Sequence, residues 1–139
     1  MINLYYKKIK AISEVSGEDF ELIAKDFDGD TCETLGYIAL TRTEANEMAK
    51  ETILDMAWTF DSTYLEDLTG VDADTFLFLQ QKGEIANKCI LSIINATAGI
   101  NEFVEDVIEC DGRTPYISNY DDGEYRVVMG GDVIYVYTI

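Results

Sequence analysis

The sequence predicts an α+β fold in which strands from the N- and C-terminal parts of the chain form a mixed or antiparallel sheet packed against a central set of helices. Apolar residues alternate with polar ones near both termini, and they recur at helical spacing in the middle of the chain. Near the C-terminus, Gly130-Gly131 separates two alternating runs. Because 139 residues is an ordinary length for one domain, we expect a single acidic domain covering residues 1–139.

The N-terminal part is predicted to form a β-hairpin followed by a third short strand. Residues 2–12 alternate loosely, Ser16-Gly17 is a turn signal, and residues 20–27 resume a strand-like run. Residues 35–40 are predicted as the third strand, which leads directly into a helix.

Residues 40–60 are predicted to contain a long helix with an apolar stripe on one side and a column of carboxylates on the other. Thr43 is the expected N-cap, and glutamates in the first turn suit the positive end of the helix dipole. The inward stripe is Ala45, Met48, Ala49, Ile53, Met56, Ala57 and Phe60. The outward column is Glu44, Glu47, Glu51 and Asp55.

More helices and then strands complete the prediction. The helices are predicted at residues 63–68, 76–82, 84–98 and 101–110, with caps at Asp61-Ser62, at Asp72 or Asp74, and at Asn101. The third of them is expected to bury Ile85, Cys89, Ile93 and Ala96. The fourth is expected to bury Phe103, Val104, Val107 and Ile108 and to expose Glu102, Glu105, Asp106 and Glu109. Strands follow at residues 116–119, 125–129 and 133–139, the last two forming a hairpin.

The charge of the chain indicates the kind of partner it binds. Ten Lys and Arg residues oppose 27 Asp and Glu residues, which gives a formal net charge of −17. A magnitude of about 2 to 8 already keeps a small domain soluble. Because such a surface repels nucleic acid and anionic membranes and attracts cations, we expect a basic protein partner, no direct nucleic-acid binding and no membrane binding.

The sequence contains no recognisable reaction centre. It has no histidine, and its three cysteines form no CxxC pair, which argues against nucleophilic catalysis, a zinc site and a disulfide framework. Residues 26–31, DFDGDT, lack the glycine and glutamate positions of a calcium loop and are typical of a turn. We therefore expect no enzyme activity, no cofactor and no metal. No apolar run resembles a signal peptide or a transmembrane helix, so the expected location is the cytoplasm.

The two carboxylate columns are the candidate partner-binding site. Carboxylates three or four residues apart on a helix rise by about 4.5 to 6 Å, a spacing comparable with that of phosphates along a nucleic-acid strand. The candidate residues are Glu44, Glu47, Glu51, Asp55, Glu102, Glu105, Asp106 and Glu109. An ordinary solvated helix face is the competing interpretation. The C-terminal tyrosines Tyr116, Tyr120, Tyr125, Tyr135 and Tyr137 form either an aromatic contact patch or half-buried strand positions.

Two stretches resemble small acidic proteins encoded by bacteriophages and prophages. The first is Leu40-Thr41, Glu44-Ala45 and Trp58 with Phe60, similar to their L-T-x-x-E-A and W-x-F patterns. The second is Asp111-Gly112-Arg113, Tyr120-Asp121, Gly123-Glu124 and Tyr135-Val136-Tyr137, similar to their D-G-R, Y-D-G-x-E and Y-I-Y-R patterns. The chain departs from those patterns at Thr114-Pro115, Asp122 and Thr138. The resemblance implies a phage accessory protein, and its second motif is turn-forming in character.

Charge and resemblance together favour a phage-encoded stoichiometric inhibitor of a host defence protein, such as a CRISPR effector or a restriction enzyme. It would act in the host cytoplasm by occupying a cationic DNA or RNA channel. A protein that sequesters a nucleotide signal is the first alternative, although the sequence offers only Arg113, Arg126 and Gly130-Gly131 for that role. The second alternative is a non-catalytic accessory protein whose acidity confers solubility.

Overall fold

The computed structural model describes residues 3–118 and 123–139 and confirms the α+β class. The chain folds as two compact units. The sheet unit comprises Met1–Ala49 and Arg113–Ile139, and the helical unit comprises Lys50–Gly112. The single domain expected for residues 1–139 stays a prediction.

The sheet unit holds a four-stranded antiparallel sheet in the order β1-β2-β4-β3 within the described residues. The strands are β1 (Glu33–Thr34), β2 (Tyr37–Leu40), β3 (Tyr125–Met129) and β4 (Asp132–Thr138). Strand β4 pairs with β2 on one side and, through the Gly130-Gly131 turn, with β3 on the other. The predicted strands at 35–40, 125–129 and 133–139 are confirmed. The predicted strand at 116–119 is wrong, because Thr114–Tyr116 forms a 3-10 turn and Ser118 follows without strand structure, and residue 119 lies outside the described range.

The predicted N-terminal hairpin is wrong. Helices α1 (Leu4–Ser16) and α2 (Phe20–Asp26) occupy this segment. The side chain of Asn3 caps α1 by accepting a hydrogen bond from the backbone N–H of Tyr6 at 2.8 Å. The inward face of α1 includes Lys7 and Lys8, both buried. Because lysine is a polar residue type, Lys7 and Lys8 interrupt the apolar pattern that would otherwise indicate the buried face of this helix.

Helix α1 covers the sheet, where it packs against β2, β4 and β3. It buries Ile9, Ala11 and Ile12 completely or nearly so. Helix α2 packs against α1, where the rings of Tyr6 and Phe20 lie 5.3 Å apart between centroids. The core of the sheet unit therefore lies between α1 and the sheet.

Helix α3 (Arg42–Asp55) begins in the sheet unit, and the boundary with the helical unit falls after Ala49. Thr41 and Glu44 form a capping box: the Thr41 hydroxyl accepts from the Glu44 N–H at 3.2 Å, and the Glu44 carboxylate accepts from the Thr41 N–H at 2.9 Å. The expected N-cap at Thr43 is therefore wrong. The inward stripe is confirmed at Ala45, Ala49, Ile53 and Ala57, the last in a 3-10 turn at Ala57–Thr59.

The helical unit contains α4 (Ser62–Thr69), α5 (Ala73–Gln80), a 3-10 turn (Gly83–Ala86), α6 (Asn87–Ala96) and α7 (Ile100–Asp111). Asp61 and Asp72 cap α4 and α5. The expected cap of α7 at Asn101 is wrong, because Gly99, at φ +94°, takes that position. Fully buried residues of this unit include Ile53, Leu65, Phe76, Ile90, Ile94 and Phe103.

The inward face predicted for residues 84–98 is wrong. Ile85 is 84% exposed and Cys89 is also exposed, whereas Ile90 and Ile94 are fully buried. The 3-10 turn before Asn87 changes the angular step per residue, so spacing counted from Ile85 does not carry into α6. Over the described ranges, no helix combines the length and apolarity that crossing a bilayer requires.

Candidate functional site

Helix α7 separates an apolar face from an acidic one. Phe103, Val104 and Val107 are buried in the helical unit. Glu102, Glu105 and Glu109 are exposed. Their positions along the helix differ by about 4.5 Å and then about 6 Å of rise. These glutamates therefore form a short row of solvent-facing negative charges.

Asp106 differs from the glutamates beside it because its carboxylate is hydrogen-bonded within the helical unit. It is partly buried, and its Oδ2 accepts a hydrogen bond from the Tyr64 hydroxyl at 2.7 Å. Burial, and then this hydrogen bond, raise the pKa of Tyr64 well above its usual range. Asp106 thus links α7 to α4 within the helical unit.

The carboxylate column of α3 is divided in a similar way. Glu47, Glu51 and Asp55 are exposed. Glu44 lies 2.7 Å from the Lys8 ammonium as well as capping its own helix. Burial alone would raise the pKa of Glu44, but hydrogen bonds from Lys8 and Thr41 lower it overall. The charge of Glu44 is therefore matched inside the sheet unit.

The negative charge is distributed unequally between the two units. Residues 50–112 hold three lysines against thirteen carboxylates, a net charge of −10. The rest of the chain holds seven cations against fourteen carboxylates, a net charge of −7. Ion pairs among the described residues join Lys7 to Asp132, Lys8 to Glu44 and Arg113 to Glu124, and all of these lie in the sheet unit. Even with every lysine paired, the helical unit has ten carboxylates in excess.

The pKa of the Cys110 thiol responds to the negative potential at the end of α7. Its side chain is exposed, and its pKa is raised above the usual value. Asp106 is the largest cause, followed by desolvation and then by Asp111 and Glu109. Negative charge disfavours the thiolate, and the thiolate is the reactive form of a cysteine.

We expect iodoacetamide, a neutral reagent, to alkylate Cys110 about twofold or more slowly in the folded protein than in the urea-unfolded chain at pH 8 and low salt. Since added salt screens the carboxylates, this difference should shrink at high ionic strength. Mass spectrometry of the Cys110 peptide gives the rate, and the exposed thiol Cys89 serves as an internal reference for the reagent. A Cys110 rate that salt leaves unchanged would contradict the expected potential.

No protein-family model, curated protein or solved structure matches this chain. Its function is therefore inferred from its own charges and contacts.

Four residues near the C-terminus, Arg113, Glu124, Tyr135 and Tyr137, form one cluster in the sheet unit. The Arg113 guanidinium donates to the Glu124 carboxylate through Nε at 3.0 Å and lies 2.8 Å from it through Nη2. It also donates to Asn46 Oδ1 at 3.0 Å and stacks over the Tyr135 ring, 4.3 Å from the centroid. The Tyr137 hydroxyl donates to the same Glu124 carboxylate. These residues thus hold one another in place.

The residues considered for nucleotide binding do not form a cationic pocket. Arg113 is engaged by Glu124 and Asn46, while Arg126 is exposed on β3. A cleft of about 540 Å³ in the sheet unit is lined partly by carboxylates, which repel phosphate. Its lining includes Asp26, Asp28, Glu33, Ile38, Met48 and Ile117. The carboxylates that line it make this cleft unsuited to a nucleotide.

The described tyrosines of the C-terminal sheet are mostly core residues, whereas exposed apolar side chains occur elsewhere. Tyr135 and Tyr137 are buried, and Tyr125 is exposed. In the helical unit, Phe78 is 61% exposed and Ile85 is 84% exposed. Sequence reasoning missed both residues, although four consecutive apolar residues at 76–79 cannot all face one side of a helix. Tyr120 lies outside the described residues.

Proposed function

We propose that this protein is a non-catalytic, phage-encoded inhibitor that binds a basic host protein of nucleic-acid defence in place of DNA or RNA. The observation that carries the proposal is the net charge of −10 on the helical unit. That unit also presents the exposed row Glu102, Glu105 and Glu109. A cationic channel that accommodates a polynucleotide backbone is the complementary surface.

Charge and apolar contact have different roles in this proposal. The carboxylates steer a basic partner towards the helical unit and repel nucleic acid, anionic membranes and a second copy of the chain. Phe78 and Ile85 provide exposed apolar side chains on the same unit, which supply contact area once the partner is bound. Binding without turnover requires no reaction centre.

The proposal is tested by capturing partners from host lysate with the tagged protein, identifying them by mass spectrometry, and measuring the affinity of the purified partner. We expect affinity to fall by about tenfold or more between low and physiological salt, because exposed charges are screened. Duplex DNA or RNA should compete for the same partner. An affinity that neither salt nor competing nucleic acid changes would contradict the proposal. It would favour the alternative of an accessory protein whose acidity confers solubility.

A pair of matched variants separates local charge from total charge. Replacing Glu102, Glu105 and Glu109 with glutamine removes charges from the proposed row. Replacing Glu14, Glu18 and Glu21, which are exposed in the sheet unit, removes the same number of charges elsewhere. We expect the first variant to weaken binding by about tenfold and the second by much less. Equal losses would show that only net charge matters and would contradict the location of the interface.

A further inference from the structure

A buried lysine and a buried cysteine face each other in the sheet unit. The Lys8 ammonium donates to the Cys32 sulfur at 3.1 Å. Both residues are 5% exposed, and the Glu44 carboxylate lies 2.7 Å from the same nitrogen. Nothing in the proposed inhibitor function uses this cluster, although it places a nucleophilic sulfur, an amine and a proton acceptor together.

The backbone holds Cys32 in this position from both sides. Its N–H donates to the Asp28 carbonyl at 2.7 Å, and its carbonyl accepts from the Ala39 N–H at 3.0 Å. Lys8 lies on α1, which packs against β2. The sulfur and the nitrogen therefore meet in the folded state without further rearrangement of the chain.

We propose that this pair is a modification site at which a peroxide joins Lys8 Nζ to Cys32 Sγ in a covalent N–S bond, a sulfenamide. Oxidised cysteines condense with a second thiol or with a backbone nitrogen, and a neutral amine is a stronger nucleophile than an amide nitrogen. In the described contacts, Cys32 Sγ lies 3.1 Å from the Lys8 nitrogen, which can act as this second group. The pairing of sulfur with nitrogen, rather than the cysteine by itself, defines the site.

The reaction balances with hydrogen peroxide as the oxidant. The Cys32 thiol loses its proton to solvent as its sulfur attacks one peroxide oxygen, the O–O bond breaks, and hydroxide leaves, so sulfur loses two electrons and becomes a sulfenic acid. The hydroxide takes a proton from the Lys8 ammonium and leaves as water. The resulting amine attacks sulfur, forming the N–S bond while the S–O bond breaks, and the departing hydroxide takes a proton from the nitrogen. One thiol, one ammonium and one peroxide thus give the link, two waters and one proton released to solvent.

The link would change both connectivity and charge. It ties α1 to the turn before β1, closing a loop in the chain and restricting the unfolded state. It also converts a cation into a neutral nitrogen, so Glu44 loses the partner that lies 2.7 Å away. We expect the oxidised protein to unfold at a higher temperature and to be more acidic by one charge.

The experiment uses a Cys89→Ser/Cys110→Ser variant, in which Cys32 is the remaining thiol. After treatment with hydrogen peroxide, we expect an intact mass lower by two hydrogens with no added oxygen. Proteolysis should release the Lys8 and Cys32 peptides joined to each other, with no cleavage at Lys8. Dithiothreitol should restore the original mass.

Lys8→Met supplies the control, because it keeps an apolar stem but removes the amine. In this variant we expect Cys32 to gain oxygen and to be trapped by dimedone as a sulfenic acid. Circular dichroism verifies that the variant folds. The proposal is overturned if Cys32 gains oxygen in the protein that retains Lys8. It is also overturned if Cys32 stays unmodified under peroxide that oxidises the urea-unfolded chain.

Discussion

Replacing Arg113 with alanine is expected to destabilise the sheet unit by about 2 kcal/mol, since it removes charge-assisted hydrogen bonds made by a side chain that is itself mostly buried. The arginine side chain is 12% exposed, and its guanidinium contacts Glu124, Asn46 and the Tyr135 ring. Without it, the Glu124 carboxylate keeps only the Tyr137 hydroxyl of this cluster as donor. Urea unfolding at neutral pH gives the change in free energy.

Arg126→Ala is the matched control, because Arg126 is an exposed arginine on β3 of the same unit. We expect a change of about 0.5 kcal/mol or less for this variant. If the two substitutions cost the same, the Arg113 cluster does not stabilise the fold as its contacts indicate.

The cluster also predicts how stability depends on pH at the alkaline end. Burial, and then the hydrogen bond to Glu124, raise the pKa of Tyr137 far above its usual range. A group whose pKa is raised on folding contributes stability below its unfolded pKa and loses it as pH rises. The contribution of Tyr137 is therefore lost progressively above about pH 10, the unfolded value for tyrosine.

Local signals predicted those parts of the fold that depend on neighbouring residues. Gly130-Gly131 between alternating runs predicted the β3–β4 hairpin, and Asp61 with Gly70 predicted the ends of α4. The two N-terminal helices were not predictable in this way. Lys8 can occupy an inward position of α1 because its ammonium forms an ion pair with Glu44 and donates a hydrogen bond to Cys32. Both partners are far from Lys8 in the sequence.

The same distinction separates the candidate site residues. Helical spacing placed Glu102, Glu105 and Glu109 on one exposed face, and the structure places them so. Asp106 follows the same spacing, but its carboxylate is held by a tyrosine 42 positions away in the sequence. Periodicity predicts which side of a helix a residue occupies and carries no information on a hydrogen-bond partner from another helix.

Replacing Phe103 with alanine should destabilise the helical unit strongly, with an expected loss of about 3 to 5 kcal/mol. The Phe103 side chain is fully buried, and its ring meets the Phe60 ring edge to face at 5.4 Å between centroids. Phe103→Leu keeps most of the volume and should cost less. Loss of helical circular dichroism with urea measures both variants, and equal stability of Phe103→Ala and the parent chain would contradict this role.

Glu105→Gln, on the opposite face of the same helix, should change stability in the other direction. The helical unit carries a net charge of −10, and like charges on a compact surface repel each other. Removing one exposed carboxylate should therefore stabilise the unit by a few tenths of a kcal/mol, and added salt should raise the stability of the parent chain more than that of the variant. Stability changes of opposite sign for the Phe103 and Glu105 variants would indicate that core packing stabilises the unit while repulsion among the exposed carboxylates destabilises it. A decrease in stability for Glu105→Gln would instead mean that this carboxylate makes a favourable contact, and it would no longer be available to a basic partner.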